Sequence, residues 1–324
     1  MRIDVHTHVV PPDLPDFATS LGDPRWPVFR LEGSTGRLWK DGAEVRAVPE
    51  AAWSVDRRLD HMDKVGVDVQ VLSPLPPLTV DWADESYGFA FCAQVNYGIA
   101  EMVQRAPSRL AGLGMVPLQD CERAICALED AHGLGLKGVQ IGTQGGTREL
   151  DDPQIRDFFA RAAELGMTIL VHPLILGASV PWTTRISGLP LTFGLGMTTD
   201  TAIAAAALVL GGVTAELPDL RICLAHGGGT FVWALPRIAH AWAMTNDVPL
   251  AQQMRNVYVD TVVYDRANLD HLIRVLGPDR VIWGTDYPLP AAAEQTGELL
   301  AGLPDEHAAA VSGGNAARLL GLSP

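Results

Sequence analysis

The sequence predicts an α/β fold, a closed (β/α)8 TIM barrel with a small β-hairpin insertion after its first strand. Three observations carry this. Eight near-continuous apolar segments read as strands buried on both faces. Helical segments separate them. Several of those helices end in Gly or Pro just before the next strand, as in AELG before TILV and RVLGPDR before VIWG, which is the chemistry of αβ loops. An open doubly wound sheet is the alternative, and the strand count favours the barrel.

The expected strands span 2–8, 67–74, 110–118, 138–143, 168–173, 221–228, 257–263 and 281–288. Helices are expected at SVDRRLDHMDKVG, at DESYGFAFCAQVNYGIAEMVQRAP, at CERAICALEDAHG and at DPQIRDFFARAAELG. An alanine-rich helix follows, with Thr199 or Asp200 as a natural N-cap. Two segments break the rhythm. Residues 11–55 form a long insertion in which Asp41-Gly42 marks a hairpin turn between alternating flanks. Residues 174–199 form a long loop after the fifth strand. Both follow strands, so both are expected on the C-terminal face, where barrel enzymes keep their active sites. The whole span 1–324 is read as one domain, with 11–55 covering that face.

The 324 residues are 48% hydrophobic and carry a formal charge of −14, which disfavours nucleic acid and anionic membrane as partners. The longest apolar stretch, 202–213, is too short for a bilayer of about 30 Å. No apolar leader precedes the first strand, and Cys92, Cys121, Cys126 and Cys223 lack CxxC spacing. The expectation is a cytoplasmic protein with reduced, mostly buried thiols.

His6 and His8 lie two apart on the first strand, which puts both rings on one side, about 6.6 Å apart. The fifth strand ends at His172, the sixth at His226 and the eighth at Asp286. The other histidines, His61, His132, His240, His271 and His307, all fall on expected helices. In a barrel the strand-end groups converge over one mouth. Three or four N/O ligands with an open position suit Zn²⁺, although Mn²⁺, Co²⁺ or Fe²⁺ also accept such donors. Two motifs are decoys. GLGLKG follows a helix and precedes a strand, the reverse of a dinucleotide fingerprint, and HGGG has no GxSxG to serve.

With these strand ends the chain resembles the amidohydrolase superfamily. The stretches RLWKDGAEVRAV, MDKVGVDVQVLS, GVQIGT, AHGGGTF and GTDYPLP narrow the resemblance to the aminocarboxymuconate-semialdehyde decarboxylase family. That resemblance implies a carboxy-lyase acting without an organic cofactor on a 2-amino-3-carboxymuconate 6-semialdehyde-like or related carboxylated substrate. It implies His6, His8, His172 and Asp286 as metal ligands and His226 as the base toward metal-bound water. Asp286 or His226 would return a proton to carbon. Lys40, Arg46 and Phe193 would line the substrate site. Arg237 would reach the neighbouring site of a homodimer. The fourth strand ends in GVQIGT with no lysine, and Lys137 lies at its start, so one metal is expected rather than two. Leu174, Ile175, Phe193 and Leu289 depart from the family pattern, which leaves the substrate open; Trp182 and Arg185 are further pocket candidates. The rival readings are a hydrolase or hydratase of the same superfamily, and a non-catalytic metal-binding protein.

Overall fold

The computed structural model describes residues 1–174, 188, 190–289 and 298–322; Ile175, Trp182 and Arg185 lie outside the described residues. The chain opens with β1 (Ile3–Val9) and an insertion of α1 (Phe17–Leu21), β2 (Val28–Glu32), β3 (Thr35–Lys40) and β4 (Ala43–Pro49). Then come α2 (Val55–Val65), β5 (Val69–Pro74), α3 (Glu85–Gln104), β6 (Leu110–Met115), α4 (Cys121–Gly133) and β7 (Gly138–Ile141). A short ladder, β8 (Gln144–Gly145) with β9 (Arg148–Glu149), leads to α5 (Arg156–Leu165) and β10 (Thr168–Val171). The rest is α6 (Met197–Leu210), α7 (Val213–Glu216), β11 (Arg221–Leu224), α8 (Gly229–Trp242), α9 (Leu250–Gln253), β12 (Val257–Asp260), α10 (Arg266–Leu276), β13 (Val281–Ile282), α11 (Asp305–Ala309) and α12 (Asn315–Leu320).

Eight parallel strands line up in the order β1–β5–β6–β7–β10–β11–β12–β13. Local chemistry sets the helix ends between them. Ser54 caps α2 by accepting from the Arg57 amide, and Gly66 ends that helix in the left-handed conformation. Val5, Val71, Leu113, Leu170, Cys223 and Ile282 fill the barrel interior. A larger apolar layer, including Phe91, Phe158, Val171 and Trp283, packs helices against strands.

The barrel closes between its first and last strands. The Val5 amide donates to Trp283 O at 3.0 Å, the His8 amide to Tyr287 O at 2.7 Å and the Asp286 amide to His6 O at 2.8 Å. Gly284 permits this approach, because a Cβ there would stand 2.7 Å from the His6 Cβ. Arg58 fixes the same seam from α2. Its fully buried guanidinium donates to His8 O at 2.7 Å, Ala51 O at 2.9 Å, Gln70 Oε1 at 3.0 Å and Thr7 Oγ1 at 3.1 Å. It also lies 5.1 Å from the centre of the Tyr287 ring, against which His61 stacks at 4.0 Å.

Several expectations change in detail. Most strands are shorter than their apolar runs: β10, β11 and β13 leave the ladder before His172, His226 and Asp286, whereas β1 keeps His6 and His8 within its ladder. The insertion is a three-stranded sheet, β2–β3–β4, and not a lone hairpin. Neither Thr199 nor Asp200 caps α6: a π-helical stretch, Pro190–Gly196, runs straight into it, and Asp200 accepts from Thr143 Oγ1 instead. By length and composition Leu191–Leu210 is apolar enough to cross a membrane, which the 202–213 stretch alone is not. Here Ala204, Ala205 and Leu208 of that segment are buried in the core. All four cysteines are free; Cys92 and Cys223 are buried, Cys121 is half-buried and Cys126 exposed.

Replacing Arg58 by Met leaves two backbone carbonyls and Gln70 Oε1 without their donor. Arg58→Met is expected to lower stability by about 3 kcal/mol, read as a reduced urea midpoint at unchanged slope.

Candidate metal centre

Four side chains meet at the C-terminal mouth of the barrel. His6 and His8 come from β1, His172 directly follows β10, and Asp286 lies four residues past β13. All four are buried, and their donor atoms lie within 4.8 Å of one another. His6 Nε2 is 3.1 Å from His8 Nε2, and Asp286 Oδ1 is 3.1 Å from His8 Nε2 and 3.5 Å from His6 Nε2.

Hydrogen bonds on the outer nitrogens assign the tautomers. His6 Nδ1 donates to Asp260 Oδ2 at 2.6 Å, His8 Nδ1 to Pro74 O at 3.2 Å and His172 Nδ1 to Pro173 O at 2.7 Å. Each imidazole therefore turns Nε2 inward as a lone-pair donor. His172 Nε2 and Asp286 Oδ1 are buried without any hydrogen-bond partner. Inward lone pairs and a carboxylate repel one another unless a cation lies among them, and buried polar atoms are rarely left unpaired. Three nitrogens and one oxygen fit a single divalent ion. β7 ends at Ile141 with no lysine, and Lys137 stands at the opposite rim, so the donors present serve one ion.

The field in the site is ordered by charge. Burial raises the Asp286 carboxyl, but His8, His6 and His226 outweigh that and bring it down to about 2. Burial also lowers His6, but Asp260, with Asp286 and Asp4 behind it, more than offsets this and the net shift is upward. Burial pushes His8 down, and burial with His226 pushes His172 well down.

His226 stands beside the ligand cluster. Its ring centre is 4.9 Å from that of His172 and 5.3 Å from that of His6. Burial and the neighbouring His6 lower it to about 4, so at neutral pH it is an uncharged proton acceptor. Its Nδ1 is buried and unpaired. The HGGG turn makes this placement. His226 has φ 56°, and a Cβ at Gly229 would meet Thr198 O at 2.0 Å.

Asp260 ties ligand and base together. One oxygen accepts from His6 Nδ1 and from the His226 amide at 3.0 Å; the other accepts from the Gly227 and Val262 amides, each at 3.0 Å. Sequence reasoning missed this residue. Its signal was available, since Asp260 ends the seventh barrel strand in VYVD.

The remaining candidates are spread around this centre. Lys40 Nζ donates to Pro77 O at 3.2 Å and Thr79 O at 3.0 Å, and burial pushes its ammonium down; it staples the inserted sheet to the loop after β5. Arg46 is half-buried and paired in register with Leu38, whose buried side chain clusters with Leu75, Leu78 and Leu289. Arg46 therefore shares the sheet face that packs toward the mouth, and it has no polar partner among the described residues. Leu174 is half-buried beside Gly142. Phe193 lies in the π-helical stretch and lines a cavity of about 590 Å³ with His226, Trp233, Val262 and Tyr264. That cavity shares His226 with the metal centre but is not walled by the four ligands. Arg237 is exposed on α8.

Asp260→Asn keeps the shape but weakens the bond that orients His6. Divalent-ion affinity is expected to fall about 10- to 100-fold in a calorimetric titration of the apoprotein, with the circular-dichroism spectrum unchanged.

Comparison with known proteins agrees with this geometry. The sequence model of the Amidohydrolase family matches residues 3–322. A 2-amino-3-carboxymuconate-6-semialdehyde decarboxylase from Dictyostelium discoideum is 31% identical, over 100% of this chain and 92% of that one. A gamma-resorcylate decarboxylase from Polaromonas sp. is 28% identical over 72% of this chain and 76% of its own. The crystal structure of 5-carboxyvanillate decarboxylase from Sphingomonas paucimobilis superposes with a TM-score of 0.80 at 26% identity, covering 99% of both chains. With a barrel closed through β1 and a His-His-His-Asp cluster at its mouth, the chain belongs to the amidohydrolase family.

Proposed function

We propose that the chain is a metal-dependent, non-oxidative decarboxylase acting on 2-amino-3-carboxymuconate 6-semialdehyde or a closely related carboxylated, unsaturated acid. The observation that carries this reading is the ligand cluster with a separate neutral histidine beside it, in a chain 31% identical over its full length to a decarboxylase of that substrate. His6, His8, His172 and Asp286 would hold the ion, for which the donor set favours Zn²⁺. When bound, that ion supplies Lewis-acid activation of substrate oxygen or water.

The protein's own groups handle protons and position. Loss of CO₂ leaves an electron pair on carbon, and a proton must arrive there. Asp286 is held ionised and can only accept, so His226 is the residue that takes a proton and returns it to the carbon losing CO₂. Arg46, on the inner face of the inserted sheet and without a polar partner among the described residues, is a candidate clamp for a carboxylate. Lys40 sets the sheet in place. Phe193 walls the adjoining cavity.

A homodimer completes the reading. Arg237 is exposed without a partner among the described residues, and Trp233, one turn earlier on α8, is 76% exposed. A second copy seated there would cover Trp233 and bring the partner's Arg237 to the substrate.

The test is CO₂ release from carboxylated muconates and hydroxybenzoates by metal-replete protein, with a chelated control. The expected result is CO₂ without net water uptake; water uptake without CO₂ indicates the hydrolase or hydratase activity instead. His226→Ala is expected to keep its metal and lose about 10²-fold or more in kcat; wild-type turnover removes it as the proton carrier. Mixing inactive Arg46→Ala and Arg237→Ala proteins is expected to regenerate turnover, because mixed dimers contain one native site. No recovery defeats the shared-site arrangement.

A further inference from the structure

Among the described residues four non-glycines have positive φ: Asp41, His226, Tyr264 and Asp286. Asp41 belongs to the hairpin turn with Gly42, where the left-handed conformation is ordinary. Of the other three, His226 and Tyr264 line one cavity, and Asp286 belongs to the ligand cluster that His226 adjoins. His226 and Asp286 are the proposed proton carrier and metal ligand, at φ 56° and 63°. Tyr264 is the third, at φ 61°. A bulky aromatic residue is a poor occupant of that region, and strain of this kind gathers at working sites.

The loop after β12 imposes this conformation from both sides. The Val263 amide donates to Thr261 O and the Asp265 amide to Val263 O, each at 2.8 Å. Asn268 Nδ2 also donates to Val263 O at 3.0 Å, and Asp265 caps α10 by accepting from the Ala267 amide at 2.7 Å. The Tyr264 ring is left 48% exposed, in edge contact with Phe193 at 6.2 Å, and lines the cavity that His226 enters. Its hydroxyl makes no hydrogen bond within the described protein. Burial and the carboxylates of Asp286 and Asp260 push the phenol up, so it stays a donor at working pH. An idle turn position would be served better by Gly or Asn, which adopt this backbone at little cost.

We propose that Tyr264 is a substrate-contacting specificity residue. Its hydroxyl donates a hydrogen bond to a hydroxyl, amino or carboxylate substituent of the substrate, and its ring and that of Phe193 flank the planar carbon skeleton. The identity of that substrate rests on the decarboxylase reading; the placement of Tyr264 does not.

Two comparisons test it. Tyr264→Phe is expected to keep the wild-type melting temperature and metal content. It should lose about tenfold in kcat/KM, mostly through KM, on acids bearing a hydroxyl, an amino group or a second carboxylate, and little on monocarboxylic acids without any of these. Wild-type kcat/KM on every acid that turns over overturns the assignment. Tyr264→Gly is expected to melt about 2 °C or more above Tyr264→Ala, because only glycine relieves the left-handed backbone. If wild type releases CO₂ from no acid, the decarboxylase reading fails. Tyr264 is then judged by the glycine–alanine pair, and equal melting temperatures overturn the strained placement.

Discussion

Three imidazole lone pairs and a carboxylate aimed at one another inside a buried mouth are the constraint on which the rest of this structure depends. Without a cation the arrangement is self-repelling: His6 Nε2 faces His8 Nε2 at 3.1 Å, and with the protons on Nδ1 both nitrogens present lone pairs. The fold holds them there through the seam. β1 supplies two ligands and the segment after β13 supplies the fourth, so the hydrogen bonds that close the barrel also set the ligand distances. Arg58 belongs to this logic. It is a buried cation whose four acceptors are all neutral, and two of them, Thr7 Oγ1 and His8 O, lie on the ligand strand. Burial brings its guanidinium down to about 10, against the opposing pull of Tyr287 and Asp4. Such a group is expensive in the interior, and here it keeps a metal-bearing strand in register.

The barrel and its ligand set were legible because both are written in local pattern. Apolar runs give strands, and a histidine or aspartate directly after such a run falls at the mouth. The same pattern explains why the strand ends were read too long. Val171 is the last ladder residue before His172, and Leu224 precedes His226 by two. On these two strands the polar residue turns inward after the ladder has ended, yet its apolar neighbours still look like strand. Asp260 went unread for a different reason. The seventh strand is expected to run on to residue 263, which puts Asp260 in mid-strand, whereas the ladder ends at Asp260 itself.

The inserted sheet shows the limit more sharply. Lys40 and Arg46 look alike in sequence, two cations flanking an Asp-Gly turn. Only the fold separates them. Lys40 is spent on two backbone carbonyls, whereas the register between β3 and β4 places Arg46 beside Leu38 on the inner face, with no polar partner among the described residues. The third strand, β2, escaped because VFRLE alternates weakly and follows a Pro-rich stretch. It is defined by pairing with β3 rather than by its own composition.

Asp260 joins the two halves of the chemistry. Its Oδ2 accepts from His6 Nδ1 and from the His226 amide together, so the tautomer of a cluster histidine and the position of His226, the proposed proton carrier, are set by one atom. Moving the carboxylate to suit one partner displaces the other. Ligand strength and proton transfer are therefore not independently adjustable in this site. Variation that preserves the reaction has to fall outside that link, on the walls: at Leu174, Phe193, Tyr264 and Leu289, which touch neither oxygen of Asp260. Those are also the places, Tyr264 apart, where the sequence leaves its family pattern. On the proposed reading the metal centre defines the class of reaction, and the aromatic and aliphatic rim selects the acid.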